Sequence, residues 1–110
     1  MYQINWTQPA LNTLVLLRDH RVEYLPQTSL SFLKQLVDMT ATLDLAPERG
    51  RTVFEIDNRR DIRELLFNHY RIIYRIHQQQ VDTLTVIGTR KHLIGLGSKR
   101  WQLKPTHFIE

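Results

Sequence analysis

The most regular pattern of apolar and polar positions lies between Asp61 and Lys91. There β-branched and aromatic residues alternate loosely with polar ones, and two polar breaks interrupt the run. The first break, Asn68-His69, is short enough for a tight hairpin turn. The second, His77-Gln78-Gln79-Gln80, fits a longer hairpin loop. Residues 62–67, 70–77 and 81–88 are therefore predicted to be three consecutive antiparallel strands. Arginines stand inside these strands at 63, 71 and 75. A charged side chain is costly to bury unpaired, so these positions are expected to face water or a partner.

Upstream the period changes. Residues 2–6 alternate as a short strand, with Tyr2, Ile4 and Trp6 on one face. Thr7 is suited to cap a helix, and Pro9 suits the first turn, where a missing N–H has no partner to lose. Ala10, Leu11, Leu14, Val15, Leu17 and Arg18 continue at helical spacing, predicting a helix to about Tyr24 that Pro26 stops. Gln27-Thr28-Ser29 opens a second helix. Its stripe of Leu30, Leu33, Leu36, Val37, Met39, Thr40 and Leu43 runs on until Ala46-Pro47 ends it. With so short a connection, the two helices form a hairpin packed on the sheet. The order β-α-α-β-β-β defines an α+β fold in one domain over residues 1–110, with 94–110 as a C-terminal extension.

The loop 46–60 carries Arg49-Gly50-Arg51, where glycine suits a turn of positive φ. Val53, Phe54 and Ile56 either dock this loop on the core or add a brief strand, and Glu55 and Asp57 can pair with nearby arginines. In the extension, Gly95-Leu96-Gly97-Ser98 breaks any pattern, and Lys99-Arg100-Trp101 mixes charge with an aromatic ring. A tail, an added strand and a contact surface all fit it.

Composition narrows the chemistry. A chain of 110 residues is long enough for one hydrophobic core. It has no cysteine, which removes disulfides, thiolate metal sites and cysteine nucleophiles. The histidines at 20, 69, 77, 92 and 107 have no ligand spacing, so no metal site or cofactor is expected. The N-terminus lacks the basic start and apolar run of a signal peptide, and no apolar stretch reaches membrane-spanning length, so a soluble cytoplasmic protein is expected. Charge is uneven. Residues 1–58 hold 5 Lys/Arg against 7 Asp/Glu, a balance of −2, whereas residues 59–110 hold 10 against 4, a balance of +6. An acidic or polyanionic partner for the C-terminal half fits this asymmetry, as does a solvated basic face.

Arg63-Glu64-Leu65-Leu66, Tyr70-Arg71-Ile72-Ile73-Tyr74-Arg75-Ile76 and Val86-Ile87-Gly88-Thr89-Arg90-Lys91, preceded by Pro47-Glu48-Arg49-Gly50-Arg51, follow one another in an order that resembles the ParE/RelE-like toxins of bacterial type II toxin–antitoxin modules. The resemblance runs from about Gln3 to Leu93 and implies one of two activities. In the relatives that cut messenger RNA on the ribosome, an arginine follows a tyrosine in the middle strand, as Arg71 follows Tyr70. Another follows the last strand after a glycine, as Arg90 follows Gly88-Thr89. Such arginines can hold a scissile phosphate. This chain departs from that pattern, with Ile62 and Glu64 where lysines stand and Ile94, Gly95 and Leu96 where a tyrosine stands. A general acid or base is left to His92, Glu64 or His69.

The departures resemble the ParE-like branch, whose members bind and poison DNA gyrase and lack the catalytic set. For that reading the target surface comprises Arg63, Arg71, Arg90, Lys91, Lys99 and Arg100. A structural alternative ties Arg71 and Arg75 to Glu64, Glu55 or loop carbonyls. The resemblance also implies a cognate antitoxin, part of which folds along the helical hairpin and sheet. Leu14, Leu17, Leu36 and Met39 are the expected contacts, with arginines at the rim.

Overall fold

A computed structural model describes residues 1–24, 26–56 and 59–89. Strand β1 (Gln3–Trp6) leads into helices α1 (Gln8–Tyr24) and α2 (Pro26–Ala41), and a loop with two short 3-10 turns follows. The chain then forms β2 (Arg51–Thr52), β3 (Ile62–Phe67), β4 (Tyr70–His77) and β5 (Gln80–Gly88). The strands make one sheet in the order β1-β5-β4-β3-β2. Strands β2 to β5 are antiparallel neighbours, while β1 lies parallel to β5. This is the α+β architecture expected, with one short strand added.

Local chemistry sets the boundaries. Thr7 is fully buried, accepts the Ala10 amide at 3.3 Å as a helix cap, and donates its hydroxyl to the Thr83 carbonyl at 2.6 Å. One side chain therefore starts α1 and fastens it to β5. Pro26 opens α2, where its lack of an N–H is harmless. The second helix ends five residues before Ala46, earlier than its apolar stripe predicts. Thr40 and Thr42 bond back to the carbonyls of Leu36 and Met39, and the chain tightens into a 3-10 turn over Thr42–Asp44. The Asp44 carbonyl then accepts the Tyr2 amide at 2.8 Å, joining the end of the hairpin to the start of β1.

Both hairpin turns of the sheet contain two residues. Asn68, at φ 54°, turns β3 into β4. Between β4 and β5 the pairing reaches His77 opposite Gln80, so only Gln78 and Gln79 form the turn, at φ 49° and 64°. Two consecutive positive φ values define the turn whose twist matches the strands. The longer loop expected there is not formed, because glutamines adopt a conformation normally left to Asn and Gly. Farther along, the pairing skips Leu84, an extra residue in β5 opposite the Ile73–Tyr74 step of β4.

The sheet buries apolar residues on both faces. Towards the helices, Leu65, Ile72, Tyr74, Val81 and Val86 pack with Phe32, Leu36 and Leu43. Phe32 stands 5.5 Å from Phe67 and 5.4 Å from Tyr70, ring centre to ring centre. On the other face Ile62, Ile73 and Leu84 meet Val53 and Ile56 from the loop before β3. Val53 and Ile56 thus dock the loop as expected, but Phe54 between them is 74% exposed.

Candidate functional site

The β2–β3–β4 corner gathers Glu55, Arg63, Glu64 and Arg71 from among the charged residues singled out by sequence. Arg71 on β4 lies opposite Leu66, two positions along β3 from Glu64, which puts both charged side chains on the face away from the helices. Arg71 Nε donates to Glu64 Oε1 at 2.8 Å, and its two terminal nitrogens donate to Glu55 at 2.9 and 2.6 Å. Glu64 takes a further bond from Arg51 Nε at 2.6 Å. The result is a chain of alternating charge, Glu55–Arg71–Glu64–Arg51, whose inner side chains are at most 9% exposed while Arg51 is 66% exposed. The forked bonds to Glu55, and behind them those to Glu64, hold the guanidinium of Arg71 above its ordinary pKa against the opposing effect of burial.

This corrects the expectation that Arg71 presents itself to a target. It is buried, and its partners are carboxylates of its own chain, the arrangement named above as the structural alternative. Arg63, opposite Tyr74, is half-buried and donates to the carbonyls of Arg60 and Gly50 at 3.0 and 2.9 Å. Arg75 meets Asp61 at 3.3 Å, and Arg59 grips the same carboxylate through two bonds of 2.9 and 2.8 Å. The Arg59 bonds hold the Asp61 carboxyl below its usual range, and burial opposes them only in part.

Tyr74 anchors the same corner from the helix side. Its hydroxyl donates to the Pro47 carbonyl at 2.6 Å and accepts the Gly50 amide at 3.0 Å. Desolvation raises its pKa. Gly50 has φ −73° and ψ 166°, an extended conformation open to any residue. Glycine is needed here for space: a Cβ would sit 2.6 Å from the Glu64 carbonyl oxygen and closer still to the Tyr74 hydroxyl. The positive φ expected from the sequence is absent.

Over the ion chain lies a cleft of about 560 Å³, with Glu55, Glu64 and Arg71 at its floor and Arg51, Phe54 and Leu66 at its rim. Sequence reasoning missed Leu66 as a surface residue, because neighbouring Leu65 and Leu66 look alike until the pairing assigns one to each face. Of the residues expected to meet a partner along the helices, Leu14, Leu17 and Met39 are partly buried against the core. Leu36 is wholly buried, so it belongs to the interior and cannot be a surface contact. Among the described residues, Leu11, Val15, Leu16 and Val37 are exposed apolar side chains of the hairpin. Arg90, Lys91, His92, Lys99, Arg100 and the extension 94–110 lie outside the described residues. Among the described residues no cluster of potential metal ligands occurs, and no helix is long and apolar enough to cross a membrane.

The family model for the ParE toxin of the type II toxin–antitoxin system parDE matches residues 4–93, and the chain belongs to that family, within the ParE/RelE superfamily. It is thus the toxin component of a type II module. Among solved structures it is similar to a chain of the chromosomal ParDE toxin–antitoxin system from P. aeruginosa. There the TM-score is 0.69 at 20% identity, over 80% of this chain and 96% of that one. A chain of the RelBE2 toxin–antitoxin complex from Mycobacterium tuberculosis aligns with TM-score 0.56 and 21% identity, over 79% and 96% respectively. At these identities the likeness is one of fold. No curated protein matches the chain in sequence.

Proposed function

We propose that this toxin inhibits DNA gyrase by binding it, without breaking bonds in nucleic acid, and that a cognate antitoxin neutralises it. The state of Arg71 carries this reading. In the RNA-cutting alternative, Arg71 would have to hold a scissile phosphate, yet its guanidinium is buried and donates to both Glu55 and Glu64. Two carboxylates beside a phosphate would also repel it. Arg63, Arg90, Lys91, Lys99 and Arg100 remain the candidates for target contact, and a cytoplasmic location follows from the target.

The antitoxin surface is best supported on the helical hairpin. Leu11, Val15 and Leu16 of α1 and Val37 of α2 expose apolar area there, and the partly buried Leu14, Leu17 and Met39 lie beneath. An amphipathic partner segment would cover such a face. Paired assays test the target. The purified toxin should inhibit gyrase supercoiling and accumulate cleaved DNA complexes, while leaving messenger RNA intact on translating ribosomes. Ribosome-dependent cutting with unaffected gyrase would reverse the assignment.

A further inference from the structure

Three arginines at the β2 edge of the sheet have no carboxylate partner among the described residues. Arg63 stands opposite Thr52 in register, on the side of the sheet that carries the helices, and its Nε and Nη1 donate to the carbonyls of Arg60 and Gly50. Arg49, next to Gly50, sets Nη2 against the Thr42 hydroxyl at 2.5 Å and the Met39 carbonyl at 3.5 Å, at the end of α2. Arg60 is exposed, and its side chain enters no hydrogen bond or ion pair among the described residues. Besides burial and the Gly50 amide, charge on Arg63 and Arg49 lowers the pKa of the Tyr74 hydroxyl and charge on Glu48 raises it, so all three lie within electrostatic reach of one point. The other acids of this corner are already matched, Glu55 and Glu64 by Arg71 and Arg51, and Asp61 by Arg59 and Arg75. The negative end of α2 accounts for Arg49, and bracing of the turn accounts for Arg63. Neither accounts for Arg60, nor for the nitrogens that Arg49 and Arg63 leave without an acceptor.

We propose that this edge binds the phosphate backbone of duplex DNA, with Arg49, Arg60 and Arg63 as the cations and the exposed Thr52 hydroxyl as a further donor. Guanidinium forks and hydroxyls are the groups that meet phosphate oxygens in such contacts. A protein occupant needs an apolar centre to desolvate, whereas Glu48, Arg49, Thr52, Arg60 and Arg63 are all charged or polar. The formal charge of +4 on the whole chain draws in the same kind of partner. Leu11, Val15 and Leu16 belong to α1, which packs over β5, three strands away from β2 in the sheet. The arginine edge is thus distinct from the apolar face offered to the antitoxin. In one respect the inference rests on the reading of the chain as a gyrase inhibitor: gyrase holds DNA, and the edge grips that DNA beside the enzyme without reading its bases.

Titration of the full-length chain onto a labelled DNA duplex over a range of salt concentrations tests it, with gyrase inhibition, antitoxin affinity and thermal midpoint measured beside it. Each of Arg49→Gln, Arg60→Gln and Arg63→Gln is expected to weaken duplex binding about tenfold at about 0.1 M salt and to flatten the slope of log affinity against log salt by about 0.9. Arg60→Lys keeps the charge and should bind like the parent, while Glu48→Gln should bind more tightly. Gyrase inhibition should fall with duplex affinity in the Gln variants, at parental antitoxin affinity. A parent that fails to bind the duplex at low salt overturns the proposal. So does parental duplex affinity in Arg60→Gln, a variant that breaks no bond of the fold. A loss confined to antitoxin affinity overturns it too, because the occupant is then an acidic protein segment. Full gyrase inhibition by variants that no longer bind DNA has the same consequence. If the parent binds the duplex through these arginines and leaves gyrase unaffected, the gyrase reading fails while the DNA contact stands.

Discussion

Arg71 donates to two carboxylates at once, so its removal takes a charged partner from two buried acids. Arg71→Ala is expected to destabilise the protein by about 3–5 kcal/mol, the usual range for breaking a buried pair. Adding Glu55→Gln and Glu64→Gln should recover much of that loss, so a mutant cycle followed by urea denaturation should be strongly non-additive. Asp61 behaves differently because it is partly open to water. Its folded pKa lies below the unfolded value, so its contribution is complete above about pH 4 and lost as pH falls through the folded value. Asp61→Asn should therefore flatten the acid limb of a stability–pH curve and leave the alkaline limb unchanged. At this scale the sequence was half legible. Glu55 and Glu64 are legible as acids able to pair with the sheet arginines, but choosing between pairing and exposure needed the face each residue occupies. That is a property of register, which charge spacing does not contain.

The elements themselves were easier to read, because a buried strand and an amphipathic helix each impose a period. β3, β4, α1 and the end of β1 fall where apolar spacing puts them. The misses have separate causes. Thr40 and Thr42 end α2 early, and Gln78-Gln79 close a hairpin without either of the residues that favour positive φ. Strand β2 was undetectable because two residues are too few to show a period. The strained turn gives an element-level prediction. Gln78→Asn with Gln79→Gly should raise stability by about 1 kcal/mol, seen as a higher denaturant midpoint at unchanged slope. A lower midpoint would mean that the glutamine side chains hold the turn in some other way.

For the molecule as a whole, the two outer surfaces divide the work proposed above. On that reading the target takes a surface away from α1, at the β2 edge, and the antitoxin covers the exposed face of the helical hairpin. Leu16, 67% exposed on α1, provides a probe of the second without disturbing the first. Leu16→Glu should weaken antitoxin binding at least tenfold while thermal midpoint and gyrase inhibition stay at parental values. Loss of inhibition with intact antitoxin binding would show the two sides to be interchanged. Overall charge suggested an acidic partner, but it carries no shape. The cleft formed by Phe54 and Leu66, from separate segments, arises only after the chain closes.

The parallel pairing of β1 with β5 has one more outcome. Asn5 bonds to Asp82, 77 positions later, so β1 waits for β5 before it has its neighbour in the sheet. Distant pairings of this kind slow folding, since most of the chain must be ordered to close them. Synthesis therefore delays maturation, and nascent chains shorter than about 80 residues lack the zipper that completes the sheet. Refolding after dilution from urea should slow in Val81→Ala far more than in Val15→Ala, the latter lying on the local helical hairpin.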